Sequence, residues 1–135
     1  MTRGRRGGVR SHLRVWGPVW AAMALIFAAS GMSSLPSAAR ALDDGLWHGL
    51  GYGFLAALLL RALAAARWEA VTGRTALLAA VLATLYGATD ELHQWFVPGR
   101  TAQWSDLVAD AAGAAVVCGA AWMWRARAAR RESAP

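Results

Sequence analysis

The sequence predicts an all-α fold: an integral membrane four-helix bundle with both termini cytoplasmic. Three observations carry this. Of the 135 residues 57% are hydrophobic and eight are tryptophan, which is too apolar for a soluble domain of this length. Four stretches come near the roughly 20 apolar residues that a bilayer core requires. The basic residues, all of them arginine, bracket those stretches. Arg3, Arg5, Arg6, Arg10 and Arg14, then Arg61, Arg67 and Arg74, then Arg125, Arg127, Arg130 and Arg131 fall on the side of the termini and the middle connection, leaving only Arg40 and Arg100 opposite. Asp43, Asp44, Asp90, Glu91, Asp106 and Asp110 belong to that opposite side, and only Glu69 and Glu132 to the first. An arginine excess marks cytoplasmic loops. Nucleic acid is not an expected partner, because binding it calls for arginines on one face of a soluble fold, interleaved with stacking aromatics.

In chain order, residues 1–14 form a basic cytoplasmic N-terminus, 15–124 the transmembrane domain and 125–135 a basic cytoplasmic tail. The first helix is VWGPVWAAMALIFAASG from Val15. A secretory signal competes there, with Ala39-Arg40-Ala41 resembling a cleavage site. About a dozen residues separate that site from the apolar run, which is long for a cleavage region. Trp16 and Trp20 suit a retained interfacial anchor. The second helix, LWHGLGYGFLAALLLRALAAA from Leu46, carries Gly49-x-x-x-Gly53, and the fourth, SDLVADAAGAAVVCGAAWMW from Ser105, carries Ala115-x-x-x-Gly119. Both are small-residue faces that permit close helix approach. The third runs from Thr75 and ends in ATDELHQWF. Trp47, Trp95 and Trp104 mark the outer boundary, and Trp68, Trp122 and Trp124 the inner one, as an aromatic belt does. The single cysteine, Cys118, reads as a small hydrophobe in packing.

Ionisable chemistry gathers on the outer face. Asp44, His48 and Tyr52 are spaced i, i+4, i+8 along one side of the second helix. On the third, Gln94 lies one turn from both Asp90 and Glu91, so its amide can bridge the two carboxylates, and His93 flanks Asp90. Val97-Pro98-Gly99-Arg100 is a type II turn in sequence, with Pro presetting the second position and Gly taking positive φ at the third. Ser105 is the expected N-cap of the fourth helix, with Asp106 and Asp110 stacked one turn apart near its positive end. Arg100, beside several carboxylates, is a natural bidentate clamp or substrate anchor. Glu91 and His48 are the candidate acid/base pair. Asp44, Tyr52, Asp90, His93, Gln94, Arg100, Asp106 and Asp110 are candidate substrate contacts.

Taken one at a time, these residues have plainer readings as helix caps, headgroup-level charges and a packing histidine. It is the combination that points to a site. No metal is expected, since His48, Glu91, Asp106 and Asp110 are scattered over three helices without an H-x-x-x-H pair. No cofactor is expected either, because the chain has no phosphate-cradling glycine loop. No serine sits in a nucleophile motif, and Cys118 falls far from the outer face.

DELHQWFVPGRTAQWSDLVADAAG, with the earlier DDGLWHGLGYGFL, resembles the VanZ-like family of small membrane proteins. The resemblance runs from about Asp44 to Gly113. Its pattern maps onto Asp44, His48, Tyr52, Glu91, Gln94, Pro98, Arg100, Asp106, Asp110 and Gly113. Gly45 stands where members often have lysine, and Asp110 where many have asparagine. The resemblance implies a multi-pass protein of a bacterial cell membrane, whose namesake is linked to low-level resistance to the glycopeptide teicoplanin. It implies membrane lipid as a partner, with a glycopeptide or a lipid-linked envelope precursor as ligand, and it leaves open whether the protein is an enzyme. An alternative is a small membrane enzyme doing acid/base chemistry on a lipid-linked substrate. A transporter is disfavoured by four spans, no internal duplication and no mid-membrane acid.

The charge asymmetry predicts that the Pro98-Gly99 turn is outside. A cysteine at Gly99, in a Cys118→Ala background, should react with an impermeant thiol reagent on intact cells. Labelling only after lysis would invert the orientation.

Overall fold

The computed structural model describes residues 4–32 and 43–133. Arg3, Arg40 and the Ala39-Arg40-Ala41 segment lie outside the described residues. The described residues form four α-helices and no strand: α1 (Gly4–Ser30), α2 (Asp44–Leu63), α3 (Gly73–Gln94) and α4 (Trp104–Glu132), with a 3₁₀ turn at Trp68–Ala70 between α2 and α3. The all-helical expectation is met. Both basic ends include helical residues, since α1 runs from Gly4 and α4 continues to Glu132.

Three helical stretches are long and apolar enough to cross a membrane: Ser11–Ser30, Asp44–Leu63 and Trp104–Glu132. α3 is not among them. Its 22 residues rise about 33 Å, enough to span, but Asp90, Glu91, His93 and Gln94 take up its last turn with polar groups.

Helix starts follow local chemistry. Asp43 caps α2 by accepting the Gly45 N–H at 2.9 Å. Thr72 and Thr75 form a reciprocal capping box that starts α3 at Gly73. Ser105 does not cap α4. Its hydroxyl turns to Asp106, the cap position is Gln103, and the Gln103 N–H is taken by the Glu91 side chain at 2.8 Å. The α3–α4 turn is as expected, with Gly99 at φ 82° and the Arg100 N–H donating to the Val97 carbonyl at 3.1 Å.

Burial is inverted relative to a water-soluble protein. Phe54, Leu77, Leu85 and Val116 are exposed on the outside, while Asp90, Glu91, Gln94, Asp106 and Asp110 are buried. That is the arrangement lipid favours, with apolar groups outward and polar groups turned to the bundle interior. The apolar core is Leu55, Ala56, Leu59 and Leu60 of α2 with Ala76, Ala79 and Ala83 of α3, Ala114 and Cys118 of α4, and Val19 and Ala22 of α1. Cys118 lies in this core, 3.7 Å from the Ala56 carbonyl, as its apolar setting suggested.

The most extensive interface is between α2 and α4. Gly45, Gly49 and Gly53 of α2 face Ala109, Gly113 and Val117 of α4 in the same order, so these two helices run parallel. A Cβ at Gly113 would run into the Gly49 carbonyl oxygen. The expected Gly49-x-x-x-Gly53 face is therefore used, but Ala115-x-x-x-Gly119 is not: Ala115 is exposed, and a Cβ at Gly119 would meet nothing within 4 Å. The partner of Gly49 is Gly113, one helical face away from that pair. α1 joins through Tyr86, whose hydroxyl donates to the Met23 carbonyl at 2.7 Å. At the opposite end Arg61 reaches the Arg14 and Val15 carbonyls.

Replacing Gly113 by Leu should force α2 and α4 apart and lower folded yield in detergent, at a cost of at least about 1–3 kcal/mol. Gly119→Leu should leave yield near wild type. Equal losses on gel filtration would mean that Gly113 is not the contact point.

Candidate functional site

The α2/α4 crossing sets up the site. One residue before Gly49 is His48, and three before Gly113 is Asp110, so the backbone contact brings these two side chains together. His48 Nδ1 lies 3.0 Å from Asp110 Oδ1. A carboxylate accepts, so Nδ1 carries the hydrogen and Nε2 is left facing inward. There Nε2 stands 3.8 Å from Asp106 Oδ2, too far for a hydrogen bond. Asp110 has no solvent exposure, and its other oxygen packs against Gly87 of α3, where a side chain would clash with it.

α3 supplies the third wall. Gln94 Nε2 donates to Asp90 Oδ2 at 3.2 Å and to Glu91 Oε1 at 3.5 Å, the bridge that the helical spacing predicts. Glu91 also holds the start of α4 through Gln103, and one ligand atom from each of Glu91, His48 and Asp106 lies within 4.8 Å of the others. Tyr52 is buried one turn below His48 with the two rings nearly parallel, and its hydroxyl faces Asp90 without a hydrogen bond of standard geometry.

Two clefts reach this cluster. The larger, about 580 Å³, lies between the end of α3 and the start of α4, with Glu91 and Arg100 as its charged groups, Thr101 and Gln103 beside them, and Leu92, Trp95, Trp104 and Leu107 among its apolar walls. The smaller, about 270 Å³, runs toward α1 past Asp44, His48, Tyr52, Asp90 and Gln94, and Arg100 lines it too.

Three of the candidate residues lie apart from the buried cluster. Arg100 does not clamp the acids: among the described residues it forms no ion pair, and its Nε is buried without a partner. The tight Pro98-Gly99 turn sets its backbone at the rim between the clefts rather than against the carboxylates. His93 is not part of the cluster, because it points to α1 and stacks on Phe27 at 4.2 Å. It lies on the part of the α3 surface that meets α1, which the spacing to Asp90 alone does not specify. Asp44 is exposed at the mouth of the smaller cleft, since it occupies the first turn of α2. His48, Tyr52, Asp90, Glu91, Gln94, Asp106 and Asp110 do come together. Sequence reasoning missed Gly87, which makes room for Asp110, and the Gln103 N–H, which fixes Glu91. A glycine one turn before Asp90-Glu91 was the available signal for the first.

A family model described as VanZ/LLP1 matches residues 15–125, most of the chain. The protein belongs to the VanZ/LLP1 family. No curated protein and no solved structure gives a significant match. In this VanZ-family chain the segment that carried the resemblance, from Asp44 to Gly113, holds every member of the buried cluster. With its apolar helices, the family membership makes it a membrane protein.

The His48–Asp110 pair should be energetically coupled. Removing one partner of a buried pair costs about 3–5 kcal/mol, because the other is left uncompensated. His48→Ala and Asp110→Ala should each destabilise the detergent-solubilised protein strongly, and the double variant should fall short of the sum by about 1–3 kcal/mol. Simple additivity in denaturant titrations would show that the contact contributes nothing.

Proposed function

We propose that the protein is a multi-pass component of a bacterial cytoplasmic membrane, with both termini cytoplasmic. Its outer-face site binds the polar part of an amphiphilic envelope molecule, such as a lipid-linked envelope precursor or a lipoglycopeptide antibiotic of the teicoplanin type. The observation that carries this reading is Arg100: a guanidinium at the rim of both clefts, unpaired with any carboxylate although four buried acids lie nearby. An arginine left without an internal partner is available to a ligand phosphate or carboxylate, which its planar fork matches bidentately. The larger cleft supports an amphiphile. Its polar groups adjoin Leu92, Trp95 and Trp104, which stand 57%, 76% and 84% exposed where an acyl or prenyl chain would lie. Its volume lies within the range of small-molecule sites.

A second reading, an enzyme that uses acid/base chemistry on such a substrate, is favoured by one observation. The Asp110–His48 hydrogen bond orients the imidazole so that Nε2 faces Glu91 and Asp106, as a carboxylate orients a catalytic histidine. On this reading Glu91 and His48 exchange the proton and Arg100 holds the substrate.

Expression in a teicoplanin-sensitive Gram-positive host should lower susceptibility. Arg100→Gln and Glu91→Gln should each abolish that change at unaltered protein level, and the double variant should be no worse. A phenotype that survives Arg100→Gln would remove the ligand-anchor role.

A further inference from the structure

The inner wall of the site has an arrangement that hydrogen bonding does not account for. His48, Asp106 and Glu91 converge from three helices with one ligand atom of each within 4.8 Å of the others, His48 Nε2 stands 3.8 Å from Asp106 Oδ2, and no hydrogen bond joins the three residues. The His48 side chain is 9% exposed and Asp106 is 4% exposed. Among the described residues neither His48 Nε2 nor Asp106 Oδ2 takes part in a hydrogen bond, and the two atoms lie 3.8 Å apart. Buried carboxylates that face one another are costly unless a cation lies between them. Arg100 does not supply that cation, since it pairs with none of them.

We propose that His48, Glu91 and Asp106 form a binding site for a divalent transition-metal cation of the Zn²⁺ type. One imidazole and two carboxylates are a borderline-hard donor set suited to Zn²⁺. The 3.8 Å between His48 Nε2 and Asp106 Oδ2 is too long for a hydrogen bond. It fits two metal–ligand bonds of about 2.0–2.2 Å at an open angle.

The surrounding contacts are those of a metal site. A ligating histidine donates its second ring N–H to a carboxylate, which fixes the tautomer and makes the ligating nitrogen more basic. Asp110 does this for His48 at 3.0 Å. Ligating carboxylates are themselves hydrogen-bonded, and Glu91 is held by the Gln103 N–H and by Gln94. Three protein ligands leave a fourth position open, the pattern of sites that bind water or substrate at the metal. The clefts meet the cluster through Glu91 on one side and His48 on the other, so this position is accessible to a ligand. The proposal deepens the headgroup-binding reading, and it rests on that reading only for what the metal would be used for.

The test uses Zn²⁺ alone, with no lipid or antibiotic, so its failure would leave headgroup binding by Arg100 standing. Detergent-purified full-length protein, stripped with a chelator and desalted, is titrated with Zn²⁺ by calorimetry, and bound metal is counted by mass spectrometry. One saturable equivalent is expected. Glu91→Gln and Asp106→Asn should each weaken it by at least about tenfold, and Asp110→Asn by about 10–100-fold through misorientation of His48. His93→Gln, which alters a histidine stacked on Phe27 outside the cluster, should bind as wild type does. Unchanged affinity in both Glu91→Gln and Asp106→Asn, or no stoichiometric binding by the wild type, would overturn the site. Should those variants fail to fold, Co²⁺ added to the wild-type protein decides: intense visible bands of a low-coordinate nitrogen–oxygen site support the proposal, and the weak spectrum of hydrated Co²⁺ refutes it.

Discussion

The close approach of α2 and α4 at Gly49 and Gly113 is the constraint on which the rest of the structure depends. Only glycine lets the Gly49 carbonyl pack against the α4 backbone. A bilayer gives little hydrophobic drive to bring helices together, so such an approach has to come from small residues and interhelical hydrogen bonds. Here both occur within one turn of each other. The glycine contact sets the spacing, and the 3.0 Å His48–Asp110 bond uses it. Because α2 and α4 are parallel, the first turns of both helices lie at the same end of the bundle. The acids of α4 therefore meet the histidine of α2 at one level.

α3 completes this arrangement from the other direction. It runs antiparallel to α2 and α4, so its polar last turn reaches the same level as their first turns. Gly87 admits the Asp110 carboxylate, and Glu91 reaches across to fix the N-terminus of α4 through Gln103. Glu91 is thus a structural tie and a candidate functional group at once. One oxygen of its carboxylate holds the Gln103 N–H and the other accepts from Gln94, and the group lies close to His48 and Asp106.

The electrostatics are unbalanced in a way that a structural role alone does not explain. Asp90, Glu91, Asp106 and Asp110 are all buried, yet the nearby arginine pairs with none of them. Burying four acids with a single imidazole, His48, against two of them is expensive, more so close to hydrocarbon. A bundle built for stability alone would do better with apolar residues at these positions. The negative interior and the free guanidinium at its rim instead divide the site into a part suited to a cation and a part suited to an anionic headgroup.

Much of this was legible in the sequence, because the signals concerned are local. Apolar length gave the helices, Pro98-Gly99 gave the type II turn with Gly99 at positive φ, and i, i+3 and i, i+4 spacing gave the bridge from Gln94 to Asp90 and Glu91. The spacing of His48 and Tyr52, and of Asp106 and Asp110, correctly put each pair on one side of its helix. What spacing within a helix cannot specify is its rotation about its own axis relative to its neighbours. That rotation turned His93 onto Phe27 and left Ala115 and Gly119 off the α2 contact, while the turn between α3 and α4 left Arg100 without an ion pair to the acids. The rotation also brought one imidazole and two carboxylates, from positions 48, 91 and 106, to within 4.8 Å of one another. The sequence by itself determined which residues are helical and which end of each helix is polar, since both follow from contacts a few residues apart. Only the tertiary structure decided which polar groups face one another, since that depends on glycine backbones meeting across helices far apart in the chain.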